Sequence, residues 1–189
     1  MTQPAQRPAV HPAIAALSPP AGRAELLSVL DALGIAHRTI DHPATFTVAE
    51  SSAIKSDMPG GHTKNLFLAD KAGRLALVSA LAETSVPVNK LHRALADRMP
   101  GVQRFSFGKE EALWEALGVR PGSVTAFALI NDPGARVTMV LDAALMAHET
   151  VNFHPLENTA TTAVSSADLM AFIRATGREP AVLDFGSLT

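Results

Sequence analysis

The sequence predicts an α+β fold: a mixed, largely antiparallel β-sheet, partly closed and surrounded by helices. Three observations carry this expectation. Apolar runs of strand length occur in pairs joined by short turn-forming linkers, which is hairpin chemistry. Between them lie stretches whose leucines recur at helical spacing and stop on glycine. No pattern repeats at a fixed period, so residues 22–189 read as one domain in which helices cover a sheet.

Taken in order, Leu26, Leu27, Leu30 and Leu33 mark a first helix, with Glu25, Ser28 and Asp31 facing away and Gly34 supplying the stop. Residues 35–40 alternate weakly and read as a strand. Thr47 and Glu50 have the spacing of a capping box, which predicts a short helix over 47–55. Strands over 64–69 and 74–80 flank Asp70-Lys71-Ala72-Gly73, where Gly73 suits a left-handed turn position. Helices follow over 89–97 and 109–117, the second ending on Gly118. A second hairpin is expected from strands 127–131 and 136–141 around Asp132-Pro133-Gly134-Ala135, with Pro133 and Gly134 at the centre of a type II turn. Further strands are expected over 151–153, 159–164 and 182–185. Ser165 and Asp168 cap a last helix to about Ala175, which Gly177 closes.

Composition narrows the function. With 16 Lys and Arg against 18 Asp and Glu, the net charge is −2, which argues against a broad non-specific nucleic-acid surface and against DNA as partner. The absence of cysteine excludes disulfides, thiolate zinc sites and a cysteine nucleophile. No run approaches the roughly 18 apolar residues of a membrane span. Residues 1–21 carry Pro4, Pro8, Pro12, Pro19 and Pro20 and lack the continuous apolar stretch of a secretory signal. That segment reads as an extended or flexible leader, and the protein as cytoplasmic.

Familiar catalytic sets are missing. His37 and His42 are five apart, and His148 and His154 six, so neither pair shares a helix face for a metal. Ser123 lacks the second glycine of a nucleophile elbow. There is no P-loop and no G-x-G-x-x-G. Three polar stretches remain. Thr63-Lys64-Asn65 opens an apolar strand, a place where lysine also serves as edge protection. Residues 118–126 carry Gly122 beyond what a connector needs, and such loops expose N–H groups to a carbonyl or anion. Residues 151–159 hold His154 between Asn152 and a polar turn. Singly, each has an ordinary structural explanation.

Together and in this order, "GGHTKNLFL", "GVRPGSVTAFALIND" and "VNFHPLENTATT" resemble the signature segments of the YbaK/ProX-like aminoacyl-tRNA deacylases. The nearest branch is the free-standing editing proteins that hydrolyse alanyl-tRNA(Pro), related to the domain associated with prolyl-tRNA synthetase. The resemblance runs from about Ala24 to Phe185 and includes "EPAVLDF" near the end. It implies hydrolysis of the ester joining alanine to the terminal adenosine of a mischarged tRNA, with no metal or cofactor. The partners it implies are the acceptor end of that tRNA and prolyl-tRNA synthetase. Family members are thought to use the ribose hydroxyl of that adenosine to help activate water. Carried over by position, Lys64 matches the family's essential lysine, Asn65 its polar neighbour and His154 the histidine of N-F-H-P, so these three are expected to be catalytic. Gly122, Ser123, Val124, Thr125 and Ala126 match the substrate-cradling loop. Ala126 stands where many relatives have proline, which bears on amino-acid preference more than on the reaction. Two alternatives stay open: a deacylase for cysteine or serine on tRNA, and a non-catalytic tRNA-binding module of the same fold. Lys55, Arg74, Lys90, Arg93 and Arg98 are candidate phosphate contacts that also read as solvated surface charges.

Overall fold

Residues 7–44 and 56–188 are described in a computed structural model of the chain. The helix expected over 47–55, with Lys55, lies outside the described residues. Eight strands form one mixed sheet: β1 Arg38–Asp41, β2 Gly61–Ala69, β3 Leu75–Leu81, β4 Ser106–Phe107, β5 Val137–Asp142, β6 Thr150–Phe153, β7 Ala160–Ser165 and β8 Ala181–Leu183. Their order is β1-β7-β6-β2-β3-β5-β8, with β4 added on β2. Four pairings are antiparallel; β2–β6, β3–β5 and β5–β8 are parallel. The path ends on β1 and β8, so the sheet is open and the partial closure expected from sequence does not occur.

Among the described residues the α-helices are α1 Pro12–Ala15, α2 Arg23–Ala32, α3 Leu91–Ala94, α4 Glu110–Leu117, α5 Ala143–Met146 and α6 Ser166–Ala175. Capping contacts mark their ends, the Ser165 cap and the glycine stops as the sequence predicts. The Glu25 carboxylate accepts from the Gly22 N–H at 3.0 Å at the start of α2, and Ser165 Oγ accepts from the Asp168 N–H at 2.9 Å at the start of α6. Gly34, Gly118 and Gly177 all take positive φ just past helix ends, where a Cβ is disfavoured.

Two segments differ from expectation. Residues 127–131, expected as a strand, fall in a 3₁₀ helix, Ala126–Asn131, buried along its whole length. A short apolar run carries no periodicity that separates a buried strand from a buried helix. The turn after it places its positive φ at Ala135 rather than Gly134, so it is not the type II turn expected. The second is the leader. Val10 bridges Thr176, the His11 N–H donates to Ala175 O at 2.8 Å, and Ile14 is buried. Ala21 donates to Asn131 Oδ1 at 2.7 Å and accepts from its Nδ2. Residues 10–21 therefore dock on the domain instead of lying extended or flexible. Proline permits this because Pro12 sits in the first turn of α1, where its missing N–H has no helical partner.

Two apolar cores lie on the two faces of the sheet. The larger contains Phe67, Leu77, Met139, Leu141, Val151 and Phe153, and α2, α4, α6 and the 3₁₀ helix pack on it. Its centre is Phe127, whose ring meets those of Phe153 and Phe172 edge-on at 5.7 and 5.2 Å; truncating a buried phenylalanine to alanine costs about 3–5 kcal/mol. The smaller holds Leu68, Ala76, Val78, Ala80 and Val140 under Leu91, Leu95 and Met99. The alternation of side chains along each strand sends neighbours to different cores.

Candidate active site

β2 is where the sheet divides. One edge pairs with β3 from Thr63 to Ala69 without a bulge. The other pairs with β6 only at Gly61 and His62 and with β4 only at Leu68 and Ala69. Between those contacts the strands separate, and Thr63 Oγ1 donates to Asn152 O at 2.8 Å across the start of the gap. The fork needs a sharp entry, which Gly60 supplies at φ 113; a Cβ there would lie 2.4 Å from Thr150 O.

Lys64 and Asn65 both stand in this fork, on opposite faces. Lys64 pairs across from Ala80 and alternates with Leu66 and Leu68, the smaller core's side. It is half-buried, and its ammonium makes no hydrogen bond or ion pair among the described residues. Asn65 alternates with Phe67 and faces Ser79, whose buried hydroxyl donates to Asn65 Oδ1 at 2.5 Å. The Asn65 Nδ2 reaches Thr63 Oγ1 at 3.4 Å.

His154 follows β6. The β2–β6 register aligns His62 with Asn152, and His154 stands two residues past Asn152, beyond the last paired position. Pro155 keeps the preceding residue extended. The His154 ring bonds Ala160 O at 2.8 Å through Nδ1. A carbonyl only accepts, so Nδ1 carries the proton and Nε2 presents a lone pair in the neutral ring. Burial pushes the His154 pKa down, helped by nearby His42, against the opposing effect of that carbonyl bond. The His42 ring lies 6.0 Å away and bonds Thr161 Oγ1 at 2.8 Å.

The Gly122 loop meets the segment that follows His154. A turn closes from Arg120 O to the Ser123 N–H at 3.0 Å, with Gly122 at φ 91 in the position where a type II turn wants glycine. The Gly122 Cα faces Asn158, whose Nδ2 would lie 3.7 Å from an added Cβ. Leu156 in the same segment also has positive φ. Arg23 ties this segment down, bridging Glu157 at 3.0 Å and Asp41 at 2.5 Å. On the loop's other side the Arg120 guanidinium stacks over Trp114 at 4.3 Å. Of the five loop residues expected to touch substrate, Gly122, Ser123 and Val124 are accessible. Thr125 and Ala126 are fully buried, Thr125 capping the 3₁₀ helix through the Phe127 N–H at 3.3 Å.

The structure thus places Lys64 on the stretch of β2 unpaired on its β6 side and His154 just past the end of β6, and sets the Gly122 loop against the His154 segment, while Asn65 braces β2 from the opposite face. Sequence reading missed His42, Thr161 and Ser79, which reach the site through strand pairing. It also missed Asn152, whose buried Oδ1 has no partner. Among the described residues no three His, Asp or Glu side chains gather to hold a metal.

An aminoacyl-tRNA editing domain profile matches residues 42–172, which span β2, the Gly122 loop and His154. The chain belongs to the aminoacyl-tRNA editing domain family. Among this family's members, it is 38% identical over 166 residues to prolyl-tRNA synthetase associated domain-containing protein 1 of Mus musculus, covering 86% of this chain and 96% of the mouse protein. It is 32% identical to the prolyl-tRNA editing protein ProX of Acetoanaerobium sticklandii over 153 residues, 80% of this chain and 90% of that one. A solved structure described as a candidate trans-editing enzyme for prolyl tRNA synthetase shares the fold, with TM-score 0.64, 21% identity, and coverage of 89% of this chain and 98% of that one. The fork and both loops lie within the matched region.

Proposed function

We propose that the chain is a cytoplasmic trans-editing hydrolase that deacylates alanyl-tRNA(Pro). The observation that carries the reading is Lys64, an ammonium without a partner among the described residues, on the divided β2 of an editing domain, with a buried His154 just past the end of the adjoining β6. An aminoacyl ester is already activated, so positioned water and donors aimed at the developing oxyanion suffice for catalysis. The N–H of Gly122, an exposed loop residue, supplies such a donor. Lys64 takes the phosphate or sugar edge of the terminal nucleotide, and His154 Nε2 accepts a hydrogen bond from the attacking water or the ribose hydroxyl beside it. Asn65 is a positioning residue. It holds β2 through Ser79 and Thr63.

The logic of a second site follows from size. Proline exceeds alanine by two ring carbons, and each methylene is worth only about 1–3 kcal/mol in an apolar pocket. A site built to load proline admits alanine, and a smaller second site removes it. The prolyl-tRNA editing name of the bacterial relative supports proline's tRNA as the carrier.

The test is a panel of tRNAs charged with alanine, cysteine, serine and proline, incubated with purified protein. Release of alanine from tRNA(Pro) with prolyl-tRNA(Pro) left intact is expected. Preferential release of cysteine or serine would move the substrate, and binding without turnover on any member would make the chain a non-catalytic module.

A further inference from the structure

A groove at the far end of β2, around the β2–β3 turn, uses none of the residues placed at the fork. It encloses about 700 Å³, with Lys71, Arg74, Lys109 and Arg136 among its walls and Phe107 beside them. In a chain of net charge −2 this concentration runs against the overall balance. The two aspartates paired with its arginines do not offset it at the surface. The Asp70 side chain has no exposed area and accepts from the main-chain N–H groups of Ala72, Arg74 and Gln103. Asp132 is equally enclosed, bound to the Val137 N–H and to Arg178. Glu115, 3.8 Å from Arg136, is the exposed acid among the lining residues. Lys71 and Lys109 are exposed and make no side-chain bond or ion pair among the described residues.

The aromatic residue is equally out of place for a closed surface. Phe107 is 69% exposed. Its strand is held against β2, because the Gly108 N–H donates to Phe67 O at 2.9 Å and a Cβ at Gly108 would lie 2.3 Å from the Phe67 ring. An exposed ring on an anchored strand, beside two lysines without partners among the described residues, is the chemistry of a nucleic-acid strand, with phosphates on the cations and a base or ribose on the ring. Position fits as well. Ala69 borders the groove and lies five residues from Lys64 on one continuous strand, about 17 Å at 3.3 Å per residue.

We infer that this groove binds the phosphate backbone of the RNA whose aminoacylated end lies at Lys64. The inference rests on the reading of the fork as the ester-hydrolysing site. It makes the groove an affinity determinant remote from the chemistry.

The experiment titrates uncharged tRNA(Pro) against the wild type, the double variant Lys71→Ala/Lys109→Ala and Phe107→Ala over a range of salt. In parallel it follows hydrolysis of an alanyl ester of adenosine 5′-phosphate, a single nucleotide too short to span the two sites. The double variant is expected to bind tRNA several-fold more weakly and to lose about 2 from the slope of log K against log salt, about 0.9 per phosphate contact. Phe107→Ala is expected to weaken binding with the slope unchanged. Hydrolysis of the mononucleotide ester is expected to be unaltered in both variants. Wild-type affinity and slope in the double variant would overturn the proposal, as would equal losses on tRNA and mononucleotide. Weakened binding by the variants, with no ester cleavage even by wild type, would support the groove while refuting the hydrolase reading.

Discussion

Lys64 and Asn65 are consecutive in β2, yet their side chains leave opposite faces of the sheet, one opposite Ala80 and the other bonded to Ser79. Adjacent polar residues at the mouth of an apolar strand therefore have different work. Lys64 has no side-chain partner among the described residues, and Asn65, bonded to Ser79 and Thr63, holds the strand where it divides.

Stability separates these two roles. Asn65→Ala leaves the fully buried Ser79 hydroxyl without its acceptor and is expected to cost about 1–3 kcal/mol in urea unfolding. Lys64→Ala removes no bond among the described residues and is expected to stay within about 0.5 kcal/mol of wild type.

The entry to the fork depends on Gly60. Its substitution by alanine forces a Cβ against the Thr150 main chain at positive φ, and neither rotates out of the way. Gly60→Ala is expected to destabilise the fold by at least about 2 kcal/mol, read from the midpoint of chemical denaturation.

Arg178 anchors the chain after α6 to the end of the 3₁₀ helix, donating to Leu129 O, Asp132 O and the Asp132 carboxylate at 3.3, 2.6 and 3.0 Å. Burial lowers its pKa to about 10, against the pull of Asp132, so it stays charged at neutral pH. Removing one partner of a buried ion pair strands the other. Arg178→Ala is expected to cost about 3–5 kcal/mol in denaturant unfolding, and Arg178→Ala/Asp132→Ala less than the sum of the two single changes.

His154 predicts a pH signature. Its folded pKa lies below the ordinary imidazole value of 6.5 because the ring is buried. Unfolded, the ring binds its proton near 6.5, so the unfolded state holds more protons between the two values. The stability gained by keeping the ring neutral is fully present above 6.5 and is lost as pH falls through the folded pKa. In unfolding measurements from about pH 5 to 8, the difference between wild type and His154→Gln is expected to shift in that acid window and to stay flat above it.

Much of the frame was legible in sequence because it is local. The β2–β3 hairpin, the Ser165 cap and the glycine stops at Gly34, Gly118 and Gly177 are set by residues a few positions apart. The parallel pairings of β2 with β6 and β3 with β5 join segments far apart in the chain, so no local pattern announces them. The first sets β6, which His154 follows, next to the start of β2, and the β1–β7 pairing brings up His42. Residues 127–131 misled because a short, wholly buried apolar segment looks alike as strand or helix. The split between Lys64 and Asn65 was legible and unread: the period of two along a strand separates neighbours wherever the strand is regular.

The most direct test is single-turnover deacylation of alanyl-tRNA(Pro) by wild type and Lys64→Ala, with tRNA affinity and melting temperature measured on the same samples. The expected result is rapid alanine release by wild type and a loss of about 100-fold in Lys64→Ala, the scale of one lost transition-state contact, with melting unchanged. Full activity in Lys64→Ala, or no alanine release by wild type, would contradict the account.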